Sequence, residues 1–159
     1  MSLLFQPLAL GGLTLANRIL IAPMCQYSAE AGCATDWHMV HLGHLALSGA
    51  GMLILEATAV SPEGRISPFD LGLWSDETEA ALAPVLATIR RHAPIKIAVQ
   101  LSHGGRKASS RPPWEGGAQI APHEPHGWQT LAPSALAHTP GEDVPRALDA
   151  AGLAKIRAD

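Results

Sequence analysis

Met52-Leu53-Ile54-Leu55-Glu56-Ala57-Thr58-Ala59 is the stretch that decides the fold of this 159-residue chain. Four aliphatic residues in succession, without polar alternation, describe a strand of the near-continuously apolar kind found in parallel sheets. The change to Glu, Ala and Thr marks where it leaves the core. Two other runs behave in the same way. Ile19-Leu20-Ile21 ends in Ala22-Pro23-Met24-Cys25-Gln26-Tyr27, and Ile95-Lys96-Ile97-Ala98-Val99 ends in Gln100-Leu101-Ser102-His103-Gly104-Gly105-Arg106-Lys107. Three strands therefore offer polar or small groups at one common end, which is where parallel α/β proteins build their sites.

The segments between these runs carry a helical period. Asp36 is read as the cap of a helix through Trp37, His38, Met39, Val40, Leu42, Leu45, Ala46 and Leu47 that stops near Gly49-Ala50-Gly51. Asp76 with Glu79 is read as a capping box ahead of Leu82, Val85, Leu86 and Ile89. Strand, helix, strand, helix, strand implies right-handed βαβ units and a parallel sheet, either open or closed into a barrel. Upstream, Leu8 to Leu15 reads as a hairpin turning at Gly11-Gly12, a piece that would floor a barrel.

The residues now carry a resemblance. Asn17-Arg18-Ile19, Ala22-Pro23-Met24-Cys25-Gln26-Tyr27, Asp36-Trp37-His38, Glu56-Ala57-Thr58-Ala59-Val60, Pro62-Glu63-Gly64-Arg65-Ile66, Trp74-Ser75-Asp76, Gln100 to Ala108, Arg111-Pro112, Trp114-Glu115-Gly116 and Ala132-Pro133-Ser134-Ala135 follow one another in family order. In them the chain resembles the N-terminal part of the old yellow enzyme family, flavin-dependent ene reductases on a TIM barrel, in the bacterial branch that includes the xenobiotic reductases. The resemblance implies FMN at the C-terminal mouth of the barrel, NAD(P)H as hydride donor and an activated alkene, such as an enone, as substrate. It also implies that Ala22, Pro23, Met24 and Cys25 line the flavin, that Ala57 and Gln100 contact it, and that Tyr27 faces the substrate. The residue types suit those roles. A carboxamide matches the alternating donors and acceptors of a flavin pyrimidine edge, and a polarizable thiol can tune the ring without acting as a nucleophile.

A (β/α)₈ barrel takes about 250 residues, so the expectation for residues 1–159 is the N-terminal part of a single FMN-binding barrel domain. That part holds a hairpin, about three parallel strands and a long loop after the third. The His pair that binds substrate, the catalytic Tyr, a flavin-contacting Arg and the phosphate site of the family fall outside it, and the chain alone is expected to be inactive. Leu148 to Asp159 reads as the opening of a third barrel helix. Two other readings stand beside this one. One is a non-catalytic truncated product or interaction fragment, and the other is a metal-dependent TIM-barrel hydrolase built on the histidines.

Composition narrows the classes further. Apolar content of 47%, charged content of 16% and a net charge of −3 with mixed signs argue against nucleic acid or a membrane surface as partner. No apolar run approaches a membrane span and Met1 to Pro7 lacks a signal peptide's features, so the cytoplasm is the expected compartment, with a homo-oligomer as the expected complete form. Cys25 and Cys33 are read as independent thiols. His38, His41 and His44 recur every three residues without a metal-binding pattern, and are read as packing and solvent contact. Arg106 and Lys107 are candidates for an anion. The Pro-rich stretch from Ser102 to Val144 is read either as a loop that shapes access or contacts a second subunit, or as a poorly ordered excursion.

Overall fold

The structure, a computed structural model, describes residues 2–159. Its elements run β1 (Leu8–Leu10), β2 (Leu13–Leu15), β3 (Leu20–Ile21), α1 (Asp36–Ala46), β4 (Met52–Ala59), α2 (Asp76–His92), β5 (Lys96–Ser102), β6 (Leu131–Ala132), β7 (Arg146–Ala147) and α3 (Ala150–Ala158). β1 and β2 form the expected hairpin, with Leu10 opposite Leu13 across a two-residue turn in which Gly11 takes φ 57°. β3, β4 and β5 form a parallel sheet in chain order.

That order distinguishes a barrel from a doubly wound sheet. A doubly wound sheet reverses direction and carries helices on both faces, whereas here α1 and α2 share one core on one face. Leu42 and Ala46 of α1, Leu82, Val85 and Ile89 of α2, and Leu53 and Leu55 of β4 form it, each no more than 4% exposed. The hairpin lies beneath the sheet, where Pro7, Leu15 and Ala16 share a cavity with Gly49 to Gly51 and Pro94 to Lys96 at the strand starts. Leu15 is fully buried there. The α/β fold is thus the N-terminal portion of a (β/α)₈ barrel, with loops 22–35, 60–75 and 103–149 at the C-terminal end of the strands.

Both helix starts fall one residue earlier than the sequence suggests. α1 is capped by Thr35 in extended conformation, with His38 Nδ1 accepting from the Thr35 N–H at 2.9 Å, and Asp36 is the first helical residue. α2 is capped by Ser75, whose Oγ accepts from Thr78 N while Thr78 Oγ1 accepts from Ser75 N at 3.1 Å. Thr78, not Glu79, closes the box. The carboxylates of Asp76, Glu77 and Glu79 lie in the first turn, where they favour the positive end of the helix dipole.

The long loop is folded, which removes the reading of a poorly ordered excursion. Ser109, fully buried, donates to Ile120 O at 2.7 Å and accepts from Trp128 N at 3.0 Å. The Trp128 indole N–H reaches Glu63 O at 3.0 Å, and Ser110 N reaches Ile66 O at 2.8 Å, so the loop is tied to the segment after β4. β6 and β7 pair within it, and the expected third helix opens as α3, capped by Asp149, whose side chain accepts from Gly152 N. Satisfied backbone groups let a long segment without extended secondary structure pack as a unit.

Candidate active site at the strand ends

The site begins with an irregularity in the sheet. Leu55 pairs with Val99, but the next pair is Ala57 with Gln100, so Glu56 is an extra residue on β4. A bulge of this kind re-aims a side chain near a strand end. It sets Ala57 and Gln100 side by side. Ala57 is 7% exposed, while Gln100 is exposed and its carboxamide has no protein partner among the described residues.

Glu56 itself is 3% exposed, a charge taken out of water. Its Oε2 accepts from the backbone N–H of Gln26 at 2.9 Å, and its Oε1 lies 3.4 Å from Nε2 of His38, which is fully buried. Because His38 Nδ1 already accepts from Thr35 N, the ring proton belongs on Nε2, facing Glu56. The alignment falls short of a full hydrogen bond, which leaves both atoms weakly satisfied. Reading His38 as a packing residue was therefore incomplete. Two signals pointed to the pair: a Glu closing an apolar strand, and a His in the first turn of the preceding helix. His41 follows the expectation, stacking on Trp37 at 6.0 Å.

The anchor at Gln26 orders the segment carrying the other expected residues. Gln26 Nε2 donates to Met24 O at 2.9 Å and its Oε1 accepts from Trp37 Nε1 at 3.1 Å. Ala22 and Met24 are exposed, while Pro23 and Cys25 are half-buried. Burial, then the charges of Asp70 and Glu56, push the Cys25 thiol up to about 11, against a hydrogen bond from the Ala57 backbone and the charge of Lys107. The Ala57 backbone is near enough to bear on the Cys25 thiol, and Ala57 is paired with Gln100, so the ends of β3, β4 and β5 converge. The thiol stays protonated at neutral pH, which suits a neutral tuning group and not a nucleophile. Cys25 and Cys33 are both free.

Tyr27 sits at φ 53°, a left-handed conformation that is rare for a bulky residue. Its ring meets Trp114 edge-on at 5.1 Å, which brings the long loop over the end of β3. Burial raises the phenol pKa, followed by Cys25, Asp70 and Glu56, so Tyr27 remains a neutral donor. Arg106 is engaged with Ser134 Oγ at 2.8 Å, and Lys107 is exposed. Among the described residues no three His, Cys, Asp or Glu side chains converge as metal ligands, and no helix is long and apolar enough to cross a membrane.

Relatives share this arrangement of elements. The chain is 42% identical to an NADH:flavin oxidoreductase of Gibberella zeae over 98% of its own length and 38% of that protein's. It is likewise 42% identical to an NADPH dehydrogenase of Listeria monocytogenes, over all of this chain and 43% of the relative. Among solved structures, morphinone reductase superimposes with a TM-score of 0.78 at 30% identity, covering 96% of this chain and 41% of that one. The old yellow enzyme homologue of Zymomonas mobilis gives 0.73 at 30% identity, covering 98% and 42%. The chain thus spans about two fifths of the length of the relatives it matches. Residues 3–134 match the family described as NADH:flavin oxidoreductase / NADH oxidase, whose flavin is FMN and whose hydride donor is a nicotinamide cofactor, and the chain belongs to that family.

Proposed function

We propose that this chain is the N-terminal part of a single FMN-binding barrel, residues 1–159 of it, which takes hydride from NAD(P)H and reduces activated C=C bonds such as those of enones. The observation that carries the reading is the convergence of Cys25, Ala57 and Gln100 at the strand ends, with a free carboxamide on an exposed edge. These residues fit an FMN ring. The Gln100 side chain offers one donor pair and one acceptor that no protein group occupies among the described residues, and Ala57 presents no bulk to a ring plane.

Bound FMN supplies the hydride relay between the nicotinamide donor and the alkene. Gln100 holds the pyrimidine edge. Ala22, Pro23, Met24 and Cys25 would line the ring, and the protonated thiol of Cys25 would add polarizable contact without a charge. Tyr27 would present its phenol to the substrate, with the edge-on contact to Trp114 holding its ring. His38 and Glu56 touch none of the reacting atoms and act through Gln26, which makes them positioning residues.

The test uses protein carrying the whole barrel, loaded with FMN and assayed without oxygen for NADPH-driven reduction of 2-cyclohexenone. Stoichiometric flavin with enone turnover is expected. A protein that binds no FMN overturns the flavin site. One that binds FMN and oxidises NADPH only when oxygen is present overturns the alkene as substrate.

A further inference from the structure

The loops at the C-terminal end of the strands also enclose a cavity that is used by nothing described so far. It holds about 360 Å³, within the range of small-ligand sites, and is lined by Ala29, Glu30, Ala31, Arg65, Phe69 and Trp128 together with Pro68 and His126. Arg65 is its charged wall. The guanidinium lies between two indoles, 5.1 Å from the Trp128 ring and 5.5 Å from that of Trp74. Its Nε donates to Pro62 O at 2.9 Å and one terminal nitrogen donates to Pro68 O at 3.1 Å. Three of its five N–H groups are left without a protein acceptor, and no carboxylate lies within ion-pair distance among the described residues.

The aromatic walls are held in place. Phe69 O accepts from Ala29 N at 2.9 Å and Phe69 N donates to Ser67 Oγ at 3.2 Å. The buried carboxylate of Asp70 ties the turn beneath by accepting from Ile66 N, Ser67 N and Ser67 Oγ. His126 lies 6.4 Å from the Phe69 ring. His126, at φ 67°, and Ala31, at φ 49°, are two of the four non-glycine residues in left-handed conformation among the described residues, and both line this cavity. Such conformations are strained and gather at ligand sites. Ala29 is four residues from Cys25, at most about 14 Å along an extended chain, so one extended molecule can reach both.

We propose that this cavity binds the adenosine-phosphate end of the nicotinamide donor. The adenine stacks among Phe69, His126 and Trp128, a phosphate meets the open N–H groups of Arg65, and the exposed carboxylate of Glu30 at the rim accepts from a ribose hydroxyl or the exocyclic amine. This rests on the reading of the chain as a nicotinamide-dependent flavoprotein, but its test requires neither flavin nor turnover.

The experiment is calorimetric titration of the 159-residue chain with ADP-ribose, alongside adenosine, inorganic phosphate and phenyl phosphate. Saturable binding of ADP-ribose is expected, at least tenfold tighter than any of the other three. Arg65→Met should weaken it tenfold or more. Because Arg65→Met also opens the indole stack, His126→Gly serves as the second variant: it relieves the left-handed strain, so weaker binding there reports the lost ring and not a lost fold. Absence of saturable ADP-ribose binding, or unchanged affinity in both variants, overturns the proposal. Equal binding of phenyl phosphate overturns it in favour of a general site for anionic aromatics. FMN titration of the whole barrel carrying His126→Gly reports on the flavin reading separately, and unchanged FMN affinity is the expected result.

Discussion

Cys25 gives the most direct test of the site's electrostatics. Burial, Asp70 and Glu56 raise its thiol from the ordinary 9.0 to about 11. Alkylation proceeds through the thiolate, so two pH units correspond to about a hundredfold lower thiolate fraction at any pH below 9. The assay is iodoacetamide labelling of the folded chain between pH 7 and 10.5, read at the Cys25 peptide by mass spectrometry, with the same residue in urea as reference. Steric protection lowers the whole profile, whereas a raised pKa changes its shape. The logarithm of the rate should climb with unit slope through pH 10 in the folded protein and level off near pH 9 in urea. Glu56→Gln removes one of the charges and should move the folded profile toward lower pH. Linkage has a definite sign here: between pH 9 and 11 the unfolded chain has lost the proton that the folded chain retains, so this group makes stability fall as pH rises through that window. A folded-state plateau at pH 9 or below would falsify the assignment and make Cys25 an ordinary thiol.

Three further outcomes are expected. Gln100→Leu in the whole barrel should weaken FMN binding by about 1–3 kcal/mol, roughly five- to hundredfold, by leaving flavin polar groups unpaired; equal affinity in a flavin titration would show that the carboxamide does not face the ring. Glu56→Ala strips the acceptor from the part-buried Gln26 N–H, at a cost of about 1–3 kcal/mol, and removes the carboxylate that faces buried His38 Nε2; a urea midpoint unchanged from wild type would refute the anchor. Gly32→Ala should be among the most destabilising single-methyl changes in the chain, because Gly32 sits at φ 84° and a Cβ there collides with the Trp74 ring; a thermal midpoint within a degree of wild type would contradict the packing.

The parallel strands were legible because their signal is local. A run such as Met52 to Leu55 cannot face water on either side, and helical periods on both flanks leave few topologies. The hairpin was legible for a similar reason, since Gly11-Gly12 between two apolar triplets leaves a two-residue turn as the simplest connection. Helix caps were misplaced by one residue because Asp36 and Asp76 fit both a cap and a first turn, and only backbone conformation separates the two. The loop after β5 was ambiguous for a deeper reason. Its order comes from long-range bonds such as Trp128 to Glu63 and from the placement of Arg65 between Trp74 and Trp128, and sequence spacing carries no trace of such pairings.

The His38–Glu56 couple explains why the site is built on a bulge. A buried carboxylate facing a neutral imidazole is weak evidence for stability, since an apolar pair of similar volume is often as stable or more so. Its value must then lie in what it holds. Without the extra residue in β4, the strand would pair evenly from Leu55 onward and a side chain at position 56 would follow the ordinary alternation. With it, a carboxylate reaches both the first turn of α1 and the backbone of Gln26, one residue before Tyr27. Tyr27 occupies a left-handed conformation that costs free energy and persists only when its surroundings fix it. A directional, charge-assisted bond to the preceding amide supplies that constraint, where an apolar contact would let the segment slide. The buried charge thus compensates strain in the segment bearing Cys25 and Tyr27, and the same side chain helps keep the Cys25 thiol protonated.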